Sequence, residues 1–117
     1  MDTPSECVFC NIILGNTSAE ILFDGGDTLF FRDIHPKASV HIVGITKKHL
    51  SSLDAMTGDD HALIGKLLHD ATHVARDAGI FEGGYRVLTN IGKNAGQEVP
   101  HLHFHILGGE DLGGIRC

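Results

Sequence analysis

The segment His101-Leu102-His103-Phe104-His105-Ile106 alternates between imidazole and apolar side chains. Alternate side chains of a β-strand share a face, whereas a helix would scatter the same residues around its axis. The segment therefore reads as a strand with Leu102, Phe104 and Ile106 turned into a core and three imidazoles lining the other side. Packing alone is a poor reason to place three imidazoles on one face. A strand that merely faces water is the plain alternative, but the histidine face is the strongest functional signal in the chain.

Other segments supply partners for such a strand. Residues 8–14 form a short apolar run ended by Gly15 and Asn16, and read as a short helix. Residues 21–23 and 28–32 flank Asp24-Gly25-Gly26-Asp27 and read as a β-hairpin, with glycine supplying the positive φ of the turn. Residues 40–45 are β-branched and read as a third strand, 85–89 as a fourth and 102–107 as a fifth. Residues 57–79 form one long helix. Leu63, Ile64, Leu67, Leu68, Ala71, Val74, Ala75 and Ala78 repeat at helical spacing, Thr57 and Asp60 resemble a capping box, and Gly79 is a stop. The expected fold is α+β: a five-stranded antiparallel meander sheet with the helix on one face, in a single domain over residues 1–117.

Composition narrows the function classes. The net charge is -6, and no row of Lys and Arg is present to neutralise a long nucleic acid. One phosphate could still be held by backbone amides and a few side chains. No apolar run reaches membrane-spanning length, and the polar residues 1–6 lack a signal-peptide layout, so the expected compartment is the cytoplasm. Three cysteines, Cys7, Cys10 and Cys117, argue against a disulfide framework. Of the nine histidines, His35, His61, His69 and His73 read as solvated surface. His69 and His73 lie one helical turn apart without a third ligand.

Two chemistries suit the histidine strand. The imidazoles could bind a catalytic metal, or one could attack phosphorus while another assists proton transfer. The preceding loop, Asn90-Ile91-Gly92-Lys93-Asn94-Ala95-Gly96-Gln97-Glu98-Val99, favours the second, because glycine lets backbone amides converge on an anion.

The stretch Gly96-Gln97-Glu98-Val99-Pro100-His101-Leu102-His103-Phe104-His105-Ile106-Leu107-Gly108-Gly109 resembles the signature of the histidine triad (HIT) superfamily. Phe31-Arg32-Asp33-Ile34-His35-Pro36, His41-Ile42-Val43, Lys47-Lys48-His49 and Asn90 agree in order. The likeness runs from about Cys7 to Gly109 and is nearest to the nucleotide-binding Hint branch. It implies a homodimer whose two sheets join into one. It also implies a site for a purine nucleoside monophosphate or its amide, and hydrolysis of a P–N bond through a nucleotidyl intermediate on His103. By this resemblance His105 and His41 assist the chemistry. Asp33 accepts from the ribose, while Phe9, Ile12, Phe31, Ile34 and Val43 enclose base and sugar. Asn90, Gly96 and His105 contact the phosphate, in a loop completed by Gln97, Glu98 and Val99. Two departures stand out. Glu98 occupies a position where many Hint proteins carry a leaving-group serine, and the tail after Gly109 is short.

Within the superfamily, hydrolysis of dinucleoside polyphosphates is the alternative reaction. Outside enzymology, a nucleotide- or zinc-binding regulatory module is the alternative class. Cys7 and Cys10 form a C-x-x-C pair that could be a redox pair, two free thiols, or half of a zinc site. His49 and His101 are available as the other two ligands, as in some bacterial HIT proteins. The expectation is one structural zinc held by Cys7, Cys10, His49 and His101, pinning the N-terminal segment to the sheet and leaving His103 and His105 for chemistry. A backbone carbonyl on its own strand is expected to orient His103.

Overall fold

A computed structural model describes residues 6–115; Cys117 and the polar residues 1–5 lie outside them. A short helix, α1 (Val8–Ile13), precedes strands β1 (Ile21–Asp24), β2 (Thr28–Arg32) and β3 (Val40–Thr46). The long helix α2 (His61–Asp77) follows, then β4 (Tyr85–Leu88) and β5 (His103–Gly108). All five strands pair antiparallel. The first three form a meander. The last two enter in reverse, giving the order β1-β2-β3-β5-β4.

Burial explains that order. Leu102, Phe104 and Ile106 are buried on the α2 side, and His103 is buried on the other. A segment that hides both faces belongs in the sheet interior. In β4, Tyr85, Arg86 and Leu88 are half-buried and Val87 is exposed, so this strand takes the edge.

The α2 side holds the larger core. Ile64, Leu67, Ala71, Val74 and Ala75 present one helical stripe to Phe30, Ile42, Leu102, Phe104 and Ile106. Leu68, at the margin of that stripe, is exposed instead. The Phe30 ring lies across Gly44, where an added Cβ would overlap its edge. Glycine in the middle of a strand is thus the condition for seating this fully buried aromatic. The capping box at Thr57 and Asp60 is present, although it wraps a 3-10 turn (Gly58–Asp60) before the α-helix begins at His61.

The opposite face is covered only in part. Helix α1 packs Cys7, Phe9 and Cys10 against Leu29, Phe31, Val43 and Ile45 in a second, smaller core. The rest of that face is left open beside the histidines.

One polar cluster ties α2 to the β1–β2 turn. The Thr28 hydroxyl donates to Asp70 at 2.7 Å, and Lys66 Nζ bridges Asp70 and the Gly25 carbonyl, each at 2.7 Å. A side chain at Gly25 would collide with Thr28, Asp70 and Lys66. Burial pushes the Asp70 carboxyl up, but Lys66 and Thr28 outweigh it and hold it below the usual carboxylate range. A carboxyl depressed in the folded state contributes stability above its unfolded pKa of about 3.9, and that stability fades as pH falls through the folded value. Asp70→Asn should therefore lower stability at neutral pH by about 1.5–3 kcal/mol, the range for hydrogen bonds to charged groups. Urea unfolding should show the wild-type advantage at pH 7 shrinking steadily below about pH 4; an advantage independent of pH would show that the charge contributes nothing.

Candidate active site

The strand register brings the histidines together. Val43 lies opposite His105, Ile45 opposite His103 and His41 opposite Leu107. These residues share the face away from α2, because directly opposed side chains of an antiparallel pair point the same way. The result is a groove of about 950 Å³ between α1, the sheet face and the 90–99 loop. Phe9, Ile12, Phe31, Asp33, Ile34, His41, Val43, Asn90, Gly96, Gln97, Glu98, Val99, His103 and His105 all line it. Ile34 is 81% exposed and stands at the rim rather than enclosing anything. Leu107, the last apolar position of the triad stretch, lines it too, as do Arg86, Leu88 and the tail residues Glu110, Asp111 and Leu112, which no motif in the sequence marks. A second cavity of about 640 Å³ at the β4 edge contains no histidine.

Hydrogen bonds define the tautomers. His103 Nδ1 lies 2.7 Å from the His101 carbonyl oxygen and must donate to it, since a carbonyl can only accept. In a neutral imidazole this leaves the lone pair on Nε2. The Lys37 amide donates to His41 Nδ1 at 2.9 Å, so a neutral His41 is protonated at Nε2 and donates to His105 Nδ1 at 2.8 Å. His105 then carries its own proton on Nε2. Burial depresses the pKa of all three rings, taking His105 down to about 4. They are neutral near pH 7, with one free lone pair at His103 and one N–H at His105.

Asp33 is committed locally. Its Oδ1 accepts from the His35 amide at 2.7 Å, and its Oδ2 lies 3.4 Å from His41 Nε2. It both caps the turn after β2 and faces the histidine cluster. Asp33, His41 and His105 also bring three ligand atoms close enough to consider a metal. Both His41 nitrogens and His105 Nδ1 are already occupied by hydrogen bonds, which fits a proton-sharing chain better than a ligand set.

The loop is braced from within. Gly92 and Gly96 take φ values of 81° and 76°, around a 3-10 turn at Lys93–Ala95. Gln97 Oε1 accepts from the Gly92 amide at 2.9 Å, and Nε2 donates to the Ser51 and Val99 carbonyls at 2.7 and 3.0 Å. The Gln97 side chain thus holds the loop, leaving Glu98 exposed at the groove.

His101 departs from its neighbours. It precedes β5, is fully buried, and does not line the groove. Its Nε2 donates to the Thr46 carbonyl at 2.7 Å, turning Nδ1 toward Cys7 Sγ at 3.3 Å, Cys10 Sγ at 3.6 Å and His49 Nδ1 at 3.1 Å. The four candidate ligand atoms lie within 4.8 Å of one another. Two sulfurs and two imidazole nitrogens suit a tetrahedral ion such as zinc. Burial also favours the neutral, ligating form of His101, pushing its pKa down to about 4. His49 Nδ1 lies 3.2 Å from Cys10 Sγ and 3.1 Å from His101 Nδ1, so it is the atom this ring offers to the cluster, while its Nε2 is buried without a partner among the described residues. The residues fit a metal ion. The Thr46 carbonyl is a second-layer acceptor of the kind that fixes a ligating imidazole, and its contribution from the backbone leaves no mark in the sequence. The Thr89 hydroxyl donates to the His103 backbone carbonyl at 2.6 Å and holds the main chain of β5 rather than a ring.

A model of the HIT domain matches residues 15–112. An uncharacterized HIT-like protein of Synechocystis is 44% identical over 104 residues, covering 89% of this chain and 90% of that protein. A HIT family hydrolase from Clostridium thermocellum superposes with a TM-score of 0.93 at 38% identity, covering 96% and 97% of the two chains. A histidine triad nucleotide-binding protein from Candida albicans superposes with a TM-score of 0.72 at 34% identity, covering 86% and 73%. The histidine strand, the groove and these likenesses agree, and the chain belongs to the HIT-domain family.

Proposed function

We propose that this protein is a nucleotide phosphoramidase whose nucleophile is His103 Nε2. The observation that carries the reading is the His103 Nδ1–H bond to the His101 carbonyl, which presents a neutral Nε2 lone pair at the groove. Support also comes from the relatives, which include one described as a hydrolase and one as nucleotide-binding.

The substrate would be a purine nucleoside monophosphate joined to an amine. Phe9, Ile12, Phe31 and Val43 give the groove an apolar end for base and sugar, with Ile34 at its edge and the Asp33 carboxylate beside it. The phosphate would meet the braced loop around Gly96, Asn90 and the His105 Nε2–H, donors set where charge develops. His103 Nε2 forms a bond to phosphorus as the P–N bond breaks. The bond pair goes to nitrogen, which takes a proton from solvent at the open groove and leaves as the neutral amine; the water that cleaves the intermediate returns one proton to solvent. The positive charge that appears on His103 is shared with the His101 carbonyl through Nδ1–H. Water then cleaves the phosphorus–His103 bond, giving the monophosphate and the neutral imidazole. His41 holds His105 in the donating tautomer throughout.

His103→Ala should lower kcat on an adenosine phosphoramidate by orders of magnitude while monophosphate binding survives, because a lost nucleophile acts on the reaction rather than on ground-state affinity. Retention of more than about a tenth of the rate, a barrier change of only ~1.4 kcal/mol, would overturn the assignment. A faster wild-type rate on a diadenosine polyphosphate than on the phosphoramidate would move the reading to polyphosphate hydrolysis.

We assign the Cys7, Cys10, His49 and His101 cluster to one structural zinc per chain. With four protein ligands no position is left for a reacting water. Protein purified without tag or chelator should contain close to one equivalent of zinc, released as acid protonates the thiolates. Less than about a tenth of an equivalent, with Cys7 and Cys10 titrating freely, would reject the assignment.

The proposed assembly is a homodimer. Among the described residues no strand pairs with the outer edge of β4, and Val87 within it and Phe81 shortly before it are exposed. Bare strand edges are usually covered, and a second copy pairing there would extend the sheet. Sedimentation at micromolar concentration should give a dimer; a monomer would exclude this assembly.

A further inference from the structure

We propose that the Cys7–Cys10–His49–His101 cluster sets the orientation of His103, so that metal occupancy controls the nucleophile and not only the fold. This rests on the reading of His103 given above. Two separate connections lead from the cluster to that ring.

The first runs through the backbone at residue 101. The His101 ring is held by Thr46 at Nε2 and faces the three other donors at Nδ1. The carbonyl of this same residue accepts the His103 Nδ1–H at 2.7 Å. Without the ion that anchors its ring, residue 101 would be freer to shift as a whole, ring and main chain together, loosening the bond that defines the His103 tautomer. His101 is thus a positioning residue: it touches the nucleophile and not the substrate.

The second runs through α1. A helix of six residues has almost no stability of its own in water. Its buried anchors are Cys7, Phe9 and Cys10, and two of these are metal donors. The third lies between them in sequence. Its ring stands edge-on to His103 with centroids 5.1 Å apart, and also meets His101 at 5.8 Å and Phe31 at 5.5 Å. A metal that holds Cys7 and Cys10 therefore holds Phe9 against the nucleophile. An empty cluster leaves the two sulfurs and two Nδ1 atoms crowded together without the ion that would hold them in one arrangement.

The test uses the full chain, stripped with a chelator and reloaded with zinc alone, with ¹⁵N-resolved NMR of the His103 ring. The loaded protein should show His103 as the Nδ1–H tautomer with a slowly exchanging ring proton. Stripping should speed that exchange at least tenfold and mix the tautomers, and zinc should restore the original spectrum. A folded, stripped protein with an unchanged His103 spectrum would overturn the proposal. If stripping unfolds the chain, Phe9→Ala decides, since it keeps all four donors. With one zinc bound, it should lower kcat beyond any rise in KM and speed His103 ring exchange. A change in KM alone, with kcat and exchange unaltered, would confine Phe9 to substrate binding and overturn the coupling. The spectra report His103 orientation even if His103→Ala retains turnover, so failure of the nucleophile assignment is distinguishable from failure of the coupling.

Discussion

The pairing of β3 with β5 is the constraint from which the rest of the molecule follows. Each strand must satisfy hydrophobic partners on the α2 side and a polar site on the other, and their register decides which residues meet. Pairing Val43 with His105 puts His41 diagonally beside His105, near enough for a 2.8 Å hydrogen bond. A slip of one residue would turn the imidazoles into the helix-covered core and Phe104 and Ile106 into the groove. The apolar residues that secure the register are therefore as necessary to the site as the histidines they place. Ile42 and Ile106, directly opposed and fully buried, are the centre of that hold.

Much of this was legible in the alternating segment itself. Period-two alternation marked the strand and its two faces, the spacing of α2 marked the covering layer, and Cys7, Cys10, His49 and His101 do come together. The His101 carbonyl orients His103, as expected of a backbone carbonyl beside it on the same strand. Other main-chain roles are not carried by the sequence: the Thr46 carbonyl fixes His101, and the Lys37 amide selects the His41 tautomer. Any residue type could supply these two groups, so composition and pattern say nothing about them. The reversal of β4 and β5 is a related case: alternation identifies a half-buried strand, but only the competition for the interior decides which strand sits at the edge.

The division of labour among the histidines has a chemical basis. His101 spends both ring nitrogens on structure, His103 spends one, and His41 spends both in passing a fixed tautomer to His105. The same side chain is thus suited to act as a ligand, a nucleophile or a relay according to which nitrogen its neighbours occupy. Three imidazoles close together would repel one another if charged; burial prevents that by keeping them neutral.

The internal brace on the glycine loop has a consequence for how a ligand is received. Gln97 ties three backbone groups from two parts of the chain, and Gly96 is fixed by its own turn. A loop whose hydrogen bonds are already made loses little conformational entropy when an anion arrives. Such a cradle does not have to fold around its guest. Selection then falls to shape and charge at the moment of entry, and under the proposed function the free energy of contact with a phosphate would remain available for holding it in line with His103 Nε2.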